Sequence, residues 1–118
     1  MKRDIELYRQ ILLAMEECPT ARCDSLRDLD GVPHDVFAYH VGLMSDAGLI
    51  IAIDATSMSE VDWIAVSITH DGHEFLDNLR SDTMWARTKD KALSATGSLT
   101  IETLKLAATT LMRHHLGT

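Results

Sequence analysis

Apolar positions recur along the chain with two periods. Ile5, Tyr8, Ile11, Leu12 and Met15 return every three or four residues, which predicts an amphipathic helix with Asp4 as its N-cap and Pro19 as its stop. Residues 20–33 show no period and read as a loop, in which Leu26 to Leu29 has room for one turn or a short extended piece. Gly31 and Pro33 mark a restart, and from His34 to Ala47 the helical period resumes. There Val36, His40, Leu43, Met44 and Ala47 share one face, with Phe37 and Val41 beside them. Gly48 falls where a left-handed C′ residue is favoured. The apolar run Leu49 to Ile53 predicts a strand, Asp54 to Asp62 a polar turn, and Trp63 to Ile68 a second strand, together a hairpin. Thr69 is placed to cap a third helix that turns Phe75, Leu76 and Leu79 inward. A fourth helix runs from Asp82 to Ala95 with Met84, Trp85, Ala92 and Leu93 apolar. The break Thr96-Gly97-Ser98 separates it from a fifth carrying Ile101, Leu104, Ala108, Leu111 and Met112. The predicted class is mainly α with a small β-hairpin, an α+β arrangement.

A helix closing in Ala47-Gly48-Leu49-Ile50, then a hairpin, then Thr69-x-x-Gly72-x-x-Phe75-Leu76 resembles the winged-helix domain, with the hairpin as its wing. The opening Met1-Lys-Arg-Asp-Ile-Glu-Leu, Ala38-Tyr39-His40, Thr69-His-Asp-Gly-His-Glu-Phe-Leu and Ser98-Leu-Thr extend the likeness to nearly all 118 residues. On them the chain is similar to the YjcQ-like winged-helix family of bacterial and prophage proteins, domain of unknown function 2513. The resemblance implies a single winged-helix domain, with residues 1–80 as its core and 81–118 as a C-terminal helical extension of two helices. It implies a bacterial or prophage setting and brings no activity with it.

Composition narrows the class without naming a task. At 118 residues and 46% hydrophobic, the chain is long enough to bury a core without metal or disulfides. Two cysteines and a charged Met1–Gln10 segment predict a reducing, cytoplasmic setting, or the host cytoplasm for a phage-encoded protein. No apolar run approaches the roughly 20 residues of a membrane span.

Charge carries the functional argument. The chain has a net charge of −7, but residues 24–82 alone hold twelve acids against Arg27 and Arg80, while residues 83–118 are net basic at +3. In a DNA-binding winged helix the helix before the hairpin enters the major groove and the wing touches the backbone, largely through Lys and Arg. Here the corresponding helix offers Asp35, Phe37, Ala38, Val41 and Asp46 as its interaction face, and no base. The wing, Thr56, Ser57, Met58, Ser59 and Glu60, lies between Asp54 and Asp62, again without a base. DNA is disfavoured as a partner on this face; a basic host protein surface suits it by complementary charge, and a solvated acidic face that keeps the protein soluble is the alternative. A DNA-binding regulator needs bases from elsewhere: Arg87, Lys89, Lys91, Lys105 and Arg113, or Lys2, Arg3 and Arg9.

Candidate chemistry is sparse. His70 and His73 stand at i and i+3 beside Glu74, but a zinc site needs about three or four converging ligands, and nothing in the sequence brings Cys18 and Cys23 to them. No metal and no cofactor is expected. His40 falls among apolar neighbours and reads as a core histidine that fixes its helix. Nucleophile elbows, phosphate loops and dinucleotide fingerprints are missing, so no enzyme is expected. The last helix offers Ile101, Leu104, Ala108 and Leu111 at spacings of three, four and three, as the first helix does with Ile5, Tyr8, Leu12 and Met15. With Trp85, the C-terminal set is the expected homodimer seam; packing of these residues within one monomer is the alternative. The reading is a non-enzymatic binding or regulatory protein acting through protein contacts, self-association included.

Overall fold

A computed structural model describes residues 1–20, 22–23, 26 and 28–115, leaving aside the side chains of residues 78 and 112–115. Among these run α1 (Ile5–Glu16), α2 (His34–Asp46), β1 (Ile50–Asp54), β2 (Trp63–Ile68), α3 (His70–Leu79), α4 (Asp82–Thr96) and α5 (Ile101–His115). The chain is mainly helical with one antiparallel hairpin, as predicted. It divides into two compact units, residues 1–73 and 74–118, with the division inside α3.

In the first unit, the Asp4 carboxylate accepts the Glu6 amide at 3.0 Å and opens α1. The expected stripe Ile5, Tyr8, Ile11, Leu12 and Met15 is buried, with Leu7 and Arg9. Among the described residues no helix lies between α1 and α2. The piece expected at Leu26 to Leu29 falls partly outside the described residues. Cys18 and Cys23 are joined as a disulfide, with Cα atoms 5.6 Å apart, where the sequence reading expects two reduced thiols. The chain bends at Cys18–Thr20, and the Cys23 amide donates to the Val66 carbonyl at 2.5 Å, which fixes Cys23 beside β2.

The α2–β1 junction follows from one glycine. Gly48 has φ +76°, a conformation costly for any residue with a Cβ, and it lets the Leu49 amide return to the Met44 carbonyl at 3.0 Å. Ile50 pairs with Ile68 and Asp54 with Trp63; a bulge between Ile51 and Ala52 leaves Val66 as the extra residue on β2. Thr69 closes the unit. Its amide donates to the Leu49 carbonyl at 3.1 Å, its hydroxyl to the Gly48 carbonyl at 2.5 Å, and its oxygen caps α3 by accepting the Gly72 amide at 3.0 Å. Gly72 is buried there, and only glycine fits, because a side chain would run into the Leu49 carbonyl oxygen.

In the second unit, Ser81 caps α4 by accepting the Met84 amide at 3.0 Å, and Gly97 ends it. Thr100 opens α5: its hydroxyl accepts the Thr103 amide at 3.2 Å, and its own amide donates to the Thr103 hydroxyl at 2.9 Å. α4 and α5 pack on each other, burying Trp85, Thr88 and Ala92 from one and Leu104, Ala107 and Ala108 from the other. Among the described residues, no helix is long and apolar enough to cross a membrane.

Candidate interaction face

α2 is enclosed from two sides, by α1 and by both strands. That enclosure corrects the face assigned to it. Phe37, Ala38 and Val41, expected to meet a partner, are fully buried, and only Asp35 and Asp46 of that set are exposed. The core stripe is Phe37, Ala38, His40, Val41 and Met44, whereas Ala47 is exposed and Val36 and Leu43 are half-buried. A helix covered twice needs apolar residues around most of its circumference, so periodicity alone leaves its outward side ambiguous.

His40 has the structural role read for it. Its Nε2 accepts the Asp4 amide at 2.8 Å while its Nδ1 donates to the Val36 carbonyl at 2.8 Å. Asp4 is the N-cap of α1, so one imidazole ties the start of α1 to the middle of α2. The Tyr8 ring meets it edge-on at 6.0 Å, and burial holds the Tyr8 hydroxyl above its ordinary pKa.

The wing extends the hairpin. Ala55 donates to the Asp62 carbonyl and Ser57 to the Glu60 carbonyl, each at 2.9 Å, so the ladder continues beyond the strands and turns at Met58 and Ser59. Thr56, Ser57, Met58, Ser59 and Glu60 are all exposed. Hydrogen bonds from the Thr56 side chain, then its backbone amide, hold the Asp54 carboxyl below its usual range, so that this carboxylate stays charged.

At the foot of the wing, His34 joins three segments. Its Nδ1 lies 2.6 Å from an Asp28 oxygen and its Nε2 2.9 Å from an Asp62 oxygen. The hydrogen bond to Asp28 chiefly raises the His34 pKa; desolvation opposes it, and the Asp28 charge and the Asp62 bond and charge add to it. Ligand atoms of His34, Glu60 and Asp62 lie within 4.8 Å of one another, a convergence capable of holding a cation. Both imidazole nitrogens are already engaged by carboxylates, and the cluster as it stands links the loop before α2 to the hairpin.

The other predicted positions separate. His73 lines a cleft of about 180 Å³ with Glu16, Cys18, Cys23 and Ser67, but the two sulfurs are bonded to each other and offer no thiolate. His70 is exposed. Of the expected dimer seam, Trp85, Leu104 and Ala108 are buried within the chain, and Ile101 and Leu111 are half-buried. Among the bases held in reserve for DNA, Arg9 is buried and Lys89 Nζ lies 5.1 Å from the centre of the Trp85 ring. The side chain of Arg113 lies outside the described residues.

Three features escape the sequence reading. His34 enters it only as the first residue of a helix. The inward and outward sides of β1 are hidden in the run Leu49 to Ile53, in which no polar residue breaks the pattern. In the structure Ile50 is buried, while Ile51 and Ile53 are 56% and 48% exposed. Val61, near the expected wing residue Met58, is exposed as well.

The family described as hypothetical protein (DUF2513) matches residues 2–98. An uncharacterized protein of Haemophilus influenzae is 38% identical over 117 residues, covering 98% of this chain and 99% of that protein. No solved structure matches the chain. A family match over most of the length and a relative aligned nearly end to end agree with the resemblance read from the sequence motifs: the chain belongs to the DUF2513 family.

Proposed function

We propose that this chain is a non-enzymatic binding and regulatory module of winged-helix type, acting through protein contacts, and that its partner presents a basic surface. One observation carries the reading. Residues 28–73, which hold α2 and the whole wing, contain eight carboxylates and not one Lys or Arg. Asp35 and Asp46 are exposed on α2, and Asp54 and Glu60 on the hairpin. Against a duplex charged once per roughly 1.7 Å such a face repels, whereas against a basic protein patch the same charges raise the on-rate and fix orientation. A protein that itself grips nucleic acid is a natural class of partner, because carboxylates here would stand where phosphates otherwise bind.

Self-association belongs to the same reading. With Trp85, Leu104 and Ala108 taken up within the chain, Leu93 and Leu106 are, among the described residues, large apolar side chains that α4 and α5 leave exposed for it.

Fluorescence anisotropy of a labelled mixed-sequence duplex, titrated with protein at low and at physiological salt, tests the reading. No binding at either salt is expected. Tight binding that weakens steeply with salt would replace it with a DNA-binding transcriptional regulator built on C-terminal bases such as Arg87, Lys91 and Lys105. Sedimentation velocity tests the self-association: a dimer dissociated by Leu106→Glu supports it, and a monomer at every concentration removes it.

A further inference from the structure

The hairpin presents an open edge that proteins ordinarily blunt. The sheet has two strands, and the far side of β2 is met by the Cys23 amide at Val66. The outer edge of β1 meets no strand among the described residues. Exposed edges are usually protected by Lys, by Pro or by shortness, since their unpaired amides and carbonyls invite another chain. β1 has the sequence Ile-Ile-Ala-Ile-Asp, with neither Lys nor Pro, and shows Ile51 and Ile53 to solvent. Met58 is exposed at the tip and Val61 on the other face of the hairpin, and Asp54 and Glu60 add negative charge.

Resting on the protein-contact reading above, we infer that the outer edge of β1 accepts an extended segment of the partner as a third strand, in which apolar residues alternate with Lys or Arg. Backbone hydrogen bonds to the edge supply affinity, as in strand addition generally, and alternate side chains select the partner. The apolar ones lie over Ile51 and Ile53; the basic ones, on the opposite face, meet Asp54, and Glu60 adds negative charge near the tip. Charge chooses this occupant over a second copy of the chain. Edge-to-edge pairing of two hairpins brings together two acidic wings that carry no base, and like charges facing across strands destabilise the pair.

Labelled peptides of about nine residues alternating Lys with Val or Ile, a strand-length probe, test the inference by anisotropy against the full chain. They should bind, and three changes should each weaken binding about tenfold: Ile51→Thr with Ile53→Thr, Asp54→Asn with Glu60→Gln, and N-methylation of alternate peptide amides. Thr keeps strand preference at exposed positions, and circular dichroism confirms that the variants fold. Equal binding of the matching Glu peptide overturns the charge argument, and indifference to N-methylation overturns the added strand. A dimer broken by Ile51→Thr would give the edge to a second copy and overturn the inference. If neither peptide nor duplex DNA binds, the edge inference fails while the protein-contact reading stands; if DNA binds, that reading fails first.

Discussion

Replacing His40 with Leu isolates a single long-range tie. Leu fills a similar volume among Tyr8, Tyr39 and the core of α2, so the loss is mainly polar. Two hydrogen bonds go, both 2.8 Å long in the native protein. They are unequal. The Val36 carbonyl lies inside α2, where it also serves the helix ladder, so losing the imidazole costs it little. The Asp4 amide sits at the N-cap, where α1 offers it no partner, and an orphaned donor of this kind costs about 1–3 kcal/mol. Because Asp4 itself is exposed, water recovers part of this, and about 1–2 kcal/mol is expected. For a chain of 118 residues that lowers Tm by about 4–10 °C. Urea titrations of wild type, His40→Leu and His40→Gln at pH 7.5 measure it. Gln retains a carbonyl oxygen for the Asp4 amide and should recover a substantial part of the loss. Hydrogen exchange at the Asp4 amide gives the local readout, slow in wild type and fast in the Leu variant. A loss below about 0.5 kcal/mol with unchanged Asp4 exchange would refute the tie between α1 and α2.

Three further outcomes follow from single sites. His34 has a pKa raised above its ordinary value, so its links to Asp28 and Asp62 contribute fully below the unfolded pKa, near 6.5, and fade as pH rises through the folded value. The Tm difference between wild type and His34→Gln should therefore be largest in mildly acidic buffer and shrink toward alkaline pH; a constant difference would exclude titration of this group as its source. Gly72→Ala should destabilise the protein by about 1–3 kcal/mol in urea, although Ala is the better helix former, because the new methyl meets the Leu49 carbonyl and stands 2.7 Å from Ile68 Cγ2. A stabilised variant would show that this approach relaxes freely. The Thr88 hydroxyl is fully buried with no hydrogen-bond partner among the described residues, so Thr88→Val should raise stability by about 1 kcal/mol, and a loss of stability on thermal melting would reveal a partner for it.

Local chemistry is what the sequence makes legible. Gly48 announces a left-handed position, Thr69 a cap, and Trp63 the start of a strand, and each has that role in the fold. The stripe of α1 is legible because one side of that helix is polar. α2 is harder: apolar residues cover most of it, and only its two neighbours decide that Phe37, Ala38 and Val41 face inward. The snug seat of Trp63 is also a tertiary fact, since a Cβ on Gly42 would stand 3.0 Å from its Nε1. The positions of charge along the chain, by contrast, are not changed by folding. The acidity of the wing can be counted along the chain residue by residue, while the open edge beside it exists only once the two strands have paired.

The knot at Thr69 has a consequence for how this family can vary. Both feet of the hairpin are held: Leu49 by the Met44 carbonyl on one side, and Thr69 by Leu49 and Gly48 on the other. Among the described residues, the tip is held only by its own bonds, Ser57 to Glu60 and Ser57 to Ser59, and Met58 projects into solvent. The hairpin is thus a cantilever, anchored to other elements at its root and held only by local bonds at its end. Residues gained or lost around Ser57–Ser59 change its reach without disturbing the pairing of Ile50 with Ile68. Diversity among relatives should therefore collect at the tip as changes of length, while the root admits changes of residue type only where no new atom approaches the Leu49 carbonyl.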